Sequence, residues 1–229
     1  MSLPIIRSDL GFIMVDSKPN FDSFSRIWFL SLIIFIFQFI QTNAISADEF
    51  KLSSSQQKKL DETFKFIDKL EPKKLKIDKS TYQKFSKFED YYKFHFSGKK
   101  LSKWIRNRIQ KFSFGETGDF IAMYQEEEVF LGKIFFTLSP LERALVLIHE
   151  ARHADGKQFA HVICPDSFEF LNPRDWKIFP AGKKGCDSLA EGSYGVTAAF
   201  LFEMGAYGFI SQTEAGLRYN SELSRVLRK

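Results

Sequence analysis

Sulfur and imidazole are scarce in this chain of 229 residues, which has two cysteines and four histidines. Two cysteines are too few for a scaffold stapled by several bridges, so the fold must rest on an ordinary apolar core. Hydrophobic residues at 44% and charged residues at 27% are those of a globular protein and argue against extensive disorder. No apolar run reaches the roughly 20 residues that span a bilayer. The longest, 27–40, is broken by Ser31 and Gln38. No recognised nucleic-acid motif accompanies the basic charge, so nucleic acid is not an expected partner. The 27 phenylalanines carry no functional reading.

The net charge of +5 conceals a split. Residues 51–112 hold 18 Lys and Arg against 7 Asp and Glu, residues 113–229 hold 12 against 16, and residues 1–50 hold 3 against 5. The basic stretch reads first as a solvated helical surface. Its functional alternative is attraction to an anionic membrane or cell-wall surface.

The apolar run 27–40 is followed by small residues from Thr42 to Ala47. Its length and exit fit a signal-peptide core with cleavage near Ala44 or Ala47, and export is the expectation, with an uncleaved N-terminal anchor as the alternative. Asp9, Asp16 and Asp22 precede the run where positive charge is usual, and Met14 is an alternative start.

Residues 48–115 read as mostly helical. Leu60, Phe64, Ile67 and Leu70 recur at helical spacing, Tyr82, Phe85 and Phe88 begin a less regular pattern, and a third short helix is expected around Leu101 to Ile109. From residue 120 the pattern turns aromatic and β-branched, and two strands are expected over 120–124 and 129–137. A closing helix from Glu214 to Arg228 is expected to turn Leu217, Leu223 and Val226 inward.

The stretch 141–156 carries the chemistry. Its centre reads His149-Glu150-Ala151-Arg152-His153. Ser139 as N-cap, Pro140 at the first position and Glu142 three residues after the cap form a capping box, and Gly156 suits the far end. On a helix, residues four apart share a face, so both imidazoles can reach one ion with Glu150 beside them. Leu141, Ala144, Leu145, Val146, Leu147, Ile148 and Ala151 leave almost no polar face, which marks a helix packed inside the domain. Buried imidazoles and a carboxylate need partners, and a metal supplies one. Zinc suits imidazole, carboxylate and water ligands.

His149 to Gly156 resembles the active helix of the HExxH zinc metallopeptidases, the zincins, and the resemblance covers about residues 119–210. It implies an α+β, zincin-like fold: a small β-sheet on the motif helix, a second helix carrying a metal ligand, and an N-terminal helical part. The expected division is 1–47 (signal peptide or anchor), 48–115 (basic helical region) and 116–229 (metallopeptidase domain). The resemblance further implies Zn2+ on His149 and His153, Glu150 as general base, a peptide or protein substrate, and Val129 to Thr137 lying along the substrate cleft. The non-catalytic alternative is a zinc-binding envelope protein; the other enzymatic alternative is a zinc amidase acting on cell-wall peptides.

The third ligand stays open among three residues. Glu191 ranks first, because a glutamate on a following helix completes the site in the gluzincin branch. Asp187 lies one turn earlier, and His161 follows His153 by eight positions. The metzincin pattern would place a histidine at 159, where this chain has Phe159. Tyr194 is the nearest phenol and could donate to a developing oxyanion. Cys164 and Cys186 bracket the loop between the two helices, and in an exported chain they are expected to form a disulfide. In a reducing compartment Cys164 would be a weaker ligand candidate.

Overall fold

The computed structural model describes residues 50–118, 120–166, 170–171, 178–179 and 182–227. All fall within the compact unit Ala47–Lys229. The expected leader, 1–47, lies outside the described residues. Among the described residues no helix is long and apolar enough to cross a membrane.

Helix α1, Ser54–Asp68, starts at a capping box between Ser53 and Gln56 and buries Leu60, Thr63, Phe64 and Ile67. The second aromatic pattern is not one helix. It splits into α2, Lys79–Phe85, and α3, Phe88–Tyr92, because Ser86 is extended. Phe85, expected inward, is 49% exposed, whereas Phe88 is buried and stacks on Tyr92 with ring centroids 4.1 Å apart. Helix α4, Gly98–Arg106, begins where Gly98 donates to the Leu70 carbonyl at 2.7 Å. A Cβ there would stand 2.0 Å from the Ile67 carbonyl oxygen, so only glycine lets the α4 start approach the α1 end.

Three short strands follow: β1, Lys111–Phe114, β2, Ala122–Gln125, and β3, Glu128–Leu131. β1 pairs parallel to β3 and β2 pairs antiparallel to it, so the order is β1-β3-β2. Sequence periodicity missed β1 and overran β3. Instead of continuing to Thr137, the chain turns into a 3₁₀ segment, Phe135–Thr137, with both Phe135 and Phe136 buried. Consecutive buried residues do not fit the period of two that a half-exposed strand requires. The central place of β3 also corrects the expectation that Val129 to Thr137 lies along a cleft. Both edges of β3 are occupied; the edge strand beside the motif helix is β2.

The motif helix, α5, runs Pro140–His153 with its capping box formed. Ser139 Oγ accepts from the Glu142 N–H at 3.3 Å, and Glu142 Oε2 accepts from the Ser139 N–H at 3.0 Å. Leu141, Ala144, Leu147, Ile148 and Ala151 are buried, whereas Leu145 and Val146, expected inside with them, are only partly covered. Beyond α5 come a 3₁₀ turn, Lys157–Phe159, and two small antiparallel pairs. β4, Val162–Ile163, pairs with β7, Lys184–Cys186; β5, Phe170–Leu171, pairs with β6, Ile178–Phe179. The disulfide Cys164–Cys186 clamps the first pair, and both cysteines are fully buried.

Helix α6, Ser193–Ala206, is buried on nearly all sides. It starts after Gly192, so Asp187 and Glu191 precede it rather than opening it. Helix α7, Gln212–Leu223, closes on α6 where Ala215 faces Gly205. A Cβ on Gly205 would stand 2.6 Å from the Ala215 Cβ. This close approach turns Ala215, Ser221 and Glu222 inward, while Leu217, two positions from Ala215 and round the helix, is 54% exposed instead of buried. Val226 is buried outside the helix, in a bridge with Asp187. Residues from Leu60 to Met204 enter one continuous apolar core, so the basic helical region and the half carrying the motif are packed together.

Candidate metal centre

His149 and His153 lie one turn apart near the end of α5, with ring centroids 5.0 Å apart. Beyond the helix, at the entry to the 3₁₀ turn, Gly156 has φ 130°, a conformation that L side chains rarely adopt. The turn that follows is pinned from two sides. Asp155 accepts from Arg108 Nε at 2.8 Å and from Arg152 Nη1 at 2.7 Å, and the Arg152 guanidinium lies 3.8 Å from the Phe159 ring centroid. Held this way, the 3₁₀ turn returns the chain to α5 and delivers His161. The ligand nitrogens of His149, His153 and His161 all lie within 4.8 Å of one another.

The outer nitrogens settle the tautomers. His153 Nδ1 is 2.8 Å from the Phe159 carbonyl and His161 Nδ1 is 2.9 Å from Asp187 Oδ1. A carbonyl and a carboxylate only accept, so both Nδ1 atoms carry the proton and both Nε2 atoms are left with lone pairs. His149 Nε2 and His161 Nε2 stand 2.9 Å apart. Two ring nitrogens so close need a proton or a cation between them. On one tetrahedral zinc such nitrogens would be about 3.3 Å apart, so a small closing or opening of the rings accommodates the ion. The three residues therefore fit a metal by donor type and spacing, and His153 and His161 by tautomer as well.

Burial favours the neutral, ligating form of His149 and His153. The His149 ring is held well below its ordinary pKa by desolvation, with the neighbouring His161 and His153 adding to it. Desolvation and His161 bring His153 down to about 4. Glu150, 8% exposed, is pushed up to about 7 by burial, against the opposing hydrogen bond from the Tyr124 N–H to Oε2 at 2.9 Å. That bond ties the edge strand β2 to the motif helix.

Protein-family models, curated proteins and solved structures give no match to this chain.

Of the three residues weighed for the third position, the structure groups His161 with the pair. Glu191 stands apart from it. Its carbonyl accepts from Arg152 Nε at 2.8 Å, and the residue lines a cleft of about 380 Å³ with Asp90, Lys93 and Arg108. Among the described residues no His, Cys, Asp or Glu of α6 joins the histidine group, so the turn before β4 takes the place of the expected second ligand helix, while the Ser193 hydroxyl in the first turn of α6 lies 3.3 Å from His153 Nδ1. Asp187 is a bridge. Its Oδ1 holds His161, and its Oδ2 accepts from the Tyr194 N–H at 2.6 Å in the first turn of α6. Gly192 makes room for it, since a Cβ there would lie 2.4 Å from Asp187 Oδ2.

Tyr194 is brought to the site: its ring lies edge-on to His149 at 4.7 Å and stacked on His161 at 5.0 Å. Its hydroxyl accepts from Arg225 Nη1. Sequence reasoning missed Arg225 and the Tyr124 N–H, because neither carries a local signal. The fourth histidine, His95, pairs with Glu89 at the surface.

Proposed function

We propose that this protein is an exported zinc-dependent metallopeptidase of the zincin type. The observation that carries the reading is the convergence of His149, His153 and His161 on one point with a buried Glu150 on the same helix. A bound zinc ion would supply a Lewis acid that brings a water towards a pKa of about 7 and polarises a carbonyl. The three imidazoles would hold that ion, each of His153 and His161 oriented by an acceptor on its far nitrogen. Glu150, buried on the same helix beside the ion's place, accepts a proton from the water and passes it to the departing amine. Tyr124 holds one of its oxygens in place. Tyr194 donates towards the carbonyl oxygen as charge grows there.

One observation favours a catalytic over a structural centre. Structural zinc sites are closed by a fourth protein ligand. Here Asp187, the acid nearest in role, is turned to His161 and to the α6 backbone. The disulfide supports an oxidising compartment and hence export.

The test is metal content and hydrolysis of protein and cell-wall peptide substrates, for the parent chain and Glu150→Gln. One zinc in both, with hydrolysis only by the parent, is the expected result. Hydrolysis of cell-wall peptides alone would make it an amidase, and zinc without turnover on either substrate would make the centre structural. A parent chain without zinc would overturn the reading.

A further inference from the structure

Arg225 follows α7 and is 9% exposed. Its backbone is fastened on both sides, since its carbonyl accepts from the Asp187 N–H at 2.8 Å and its N–H donates to the Glu222 carbonyl at 3.1 Å. Its guanidinium carbon is 4.9 Å from the Tyr194 ring centroid, and Nη1 reaches the Tyr194 hydroxyl. The last described turn of the chain is thereby wired to the residue that holds His161 and to the phenol that lies on His161.

A guanidinium has five donors and no acceptor. The Tyr194 oxygen must therefore accept from Arg225, and the phenol's own proton is left for a different acceptor. A cation on the oxygen polarises the O–H bond and makes it a better donor.

We propose that Arg225 is a positioning residue that fixes the Tyr194 hydroxyl as a hydrogen-bond donor to the substrate oxygen on which negative charge develops. The inference rests on the peptidase reading of the histidine site. It assigns the phenol its direction and strength to a residue 31 positions away in sequence, acting through the hydroxyl that it reaches.

The test uses the zinc-loaded full chain and acetohydroxamate, a small anionic-oxygen probe, with dissociation constants from calorimetry. Parent, Tyr194→Phe, Arg225→Lys and the double variant are compared, with zinc stoichiometry and circular dichroism as controls. Loss of one hydrogen bond to a charged oxygen weakens binding about tenfold or more, which is the result expected for Tyr194→Phe. Lysine keeps the charge without the planar fork, so Arg225→Lys should weaken binding severalfold. In the double variant the loss should equal that of Tyr194→Phe alone, because both act through one hydroxyl.

An unchanged affinity in Tyr194→Phe overturns the proposal whether or not the arginine variant folds. Independent, multiplying losses in the double variant overturn it as well, by showing that Arg225 acts directly. A parent chain that binds zinc but no acetohydroxamate overturns it and leaves the zinc ligands standing; a parent chain that binds no zinc refutes the metal centre itself.

Discussion

Asp187 Oδ1 lies 2.9 Å from His161 Nδ1, while the second oxygen of the same carboxylate accepts the Tyr194 N–H at 2.6 Å. One side chain thus sets the ring of a metal-ligand candidate and the start of the helix behind it. Asp187→Ala is expected to lower zinc affinity about 10- to 100-fold, the usual cost of removing the partner of a ligating histidine. Competition with a zinc chelator of known affinity reads the change. An affinity equal to the parent's would show that His161 needs no such partner.

His161 and Glu191 make opposite predictions. His161→Ala should lose stoichiometric zinc, and Glu191→Ala should retain it with unchanged affinity, because Glu191 belongs to the cleft with Arg108 and Lys93. Metal analysis after dialysis decides between them. Zinc loss in the glutamate variant alone would restore the gluzincin arrangement.

The bridge Cys164–Cys186 closes 22 residues between the turn that ends in His161 and the residue before Asp187. Replacing both cysteines by alanine should cost about 3 kcal/mol of stability by the loop-entropy account. Zinc affinity should fall with it, because β4 and β7 hold His161 and Asp187 in register. Denaturant titrations with and without a chelator separate the two effects. A destabilised variant with parental zinc affinity would mean that strand pairing alone suffices.

Glu222 is 7% exposed and lies beside Thr197, whose hydroxyl donates to it at 2.8 Å. Burial pushes its carboxyl up to about 7 from 4.5. Between these values the folded chain binds more protons at this group than the unfolded chain does. The group's contribution is therefore fully present below 4.5 and is lost as pH rises through 7. His149 and His153, shifted the other way, mask this in the parent. The difference between Glu222→Gln and parent isolates it: the variant should gain about 2 to 3 kcal/mol relative to the parent between pH 4.5 and 7.5. Paired unfolding curves across that range give the answer, and a flat difference would refute the shift.

Much of the site's chemistry was legible before any coordinates. The HExxH spacing and the Ser139–Glu142 capping box are local patterns, and each is realised as read; the all-round apolar pattern of α5 is realised except at Leu145 and Val146, which are only partly covered. The Cys164–Cys186 pair also followed from number and placement. The strand over 129–137 and the inward Leu217 were misread for a shared reason. Periodicity registers that residues are apolar, but it does not register that Phe135 and Phe136 bury consecutively or that Ala215 against Gly205 sets which face of α7 turns in. Phe85 fell to the same blindness, since the break at Ser86 is a backbone event with no apolar signature.

Sequence alone determined the helix, the pair of imidazoles and the buried glutamate, because helical geometry fixes residues four apart on one face whatever surrounds them. Tertiary structure decided the rest of the centre. His161, Asp187, Tyr194, Arg225 and the Tyr124 N–H come from five separate stretches, and what joins them is the turn at Gly156, the β4–β7 clamp and the close approach that Gly192 permits. Those are matters of where backbones can meet without a Cβ between them, and a residue order carries no measure of that distance.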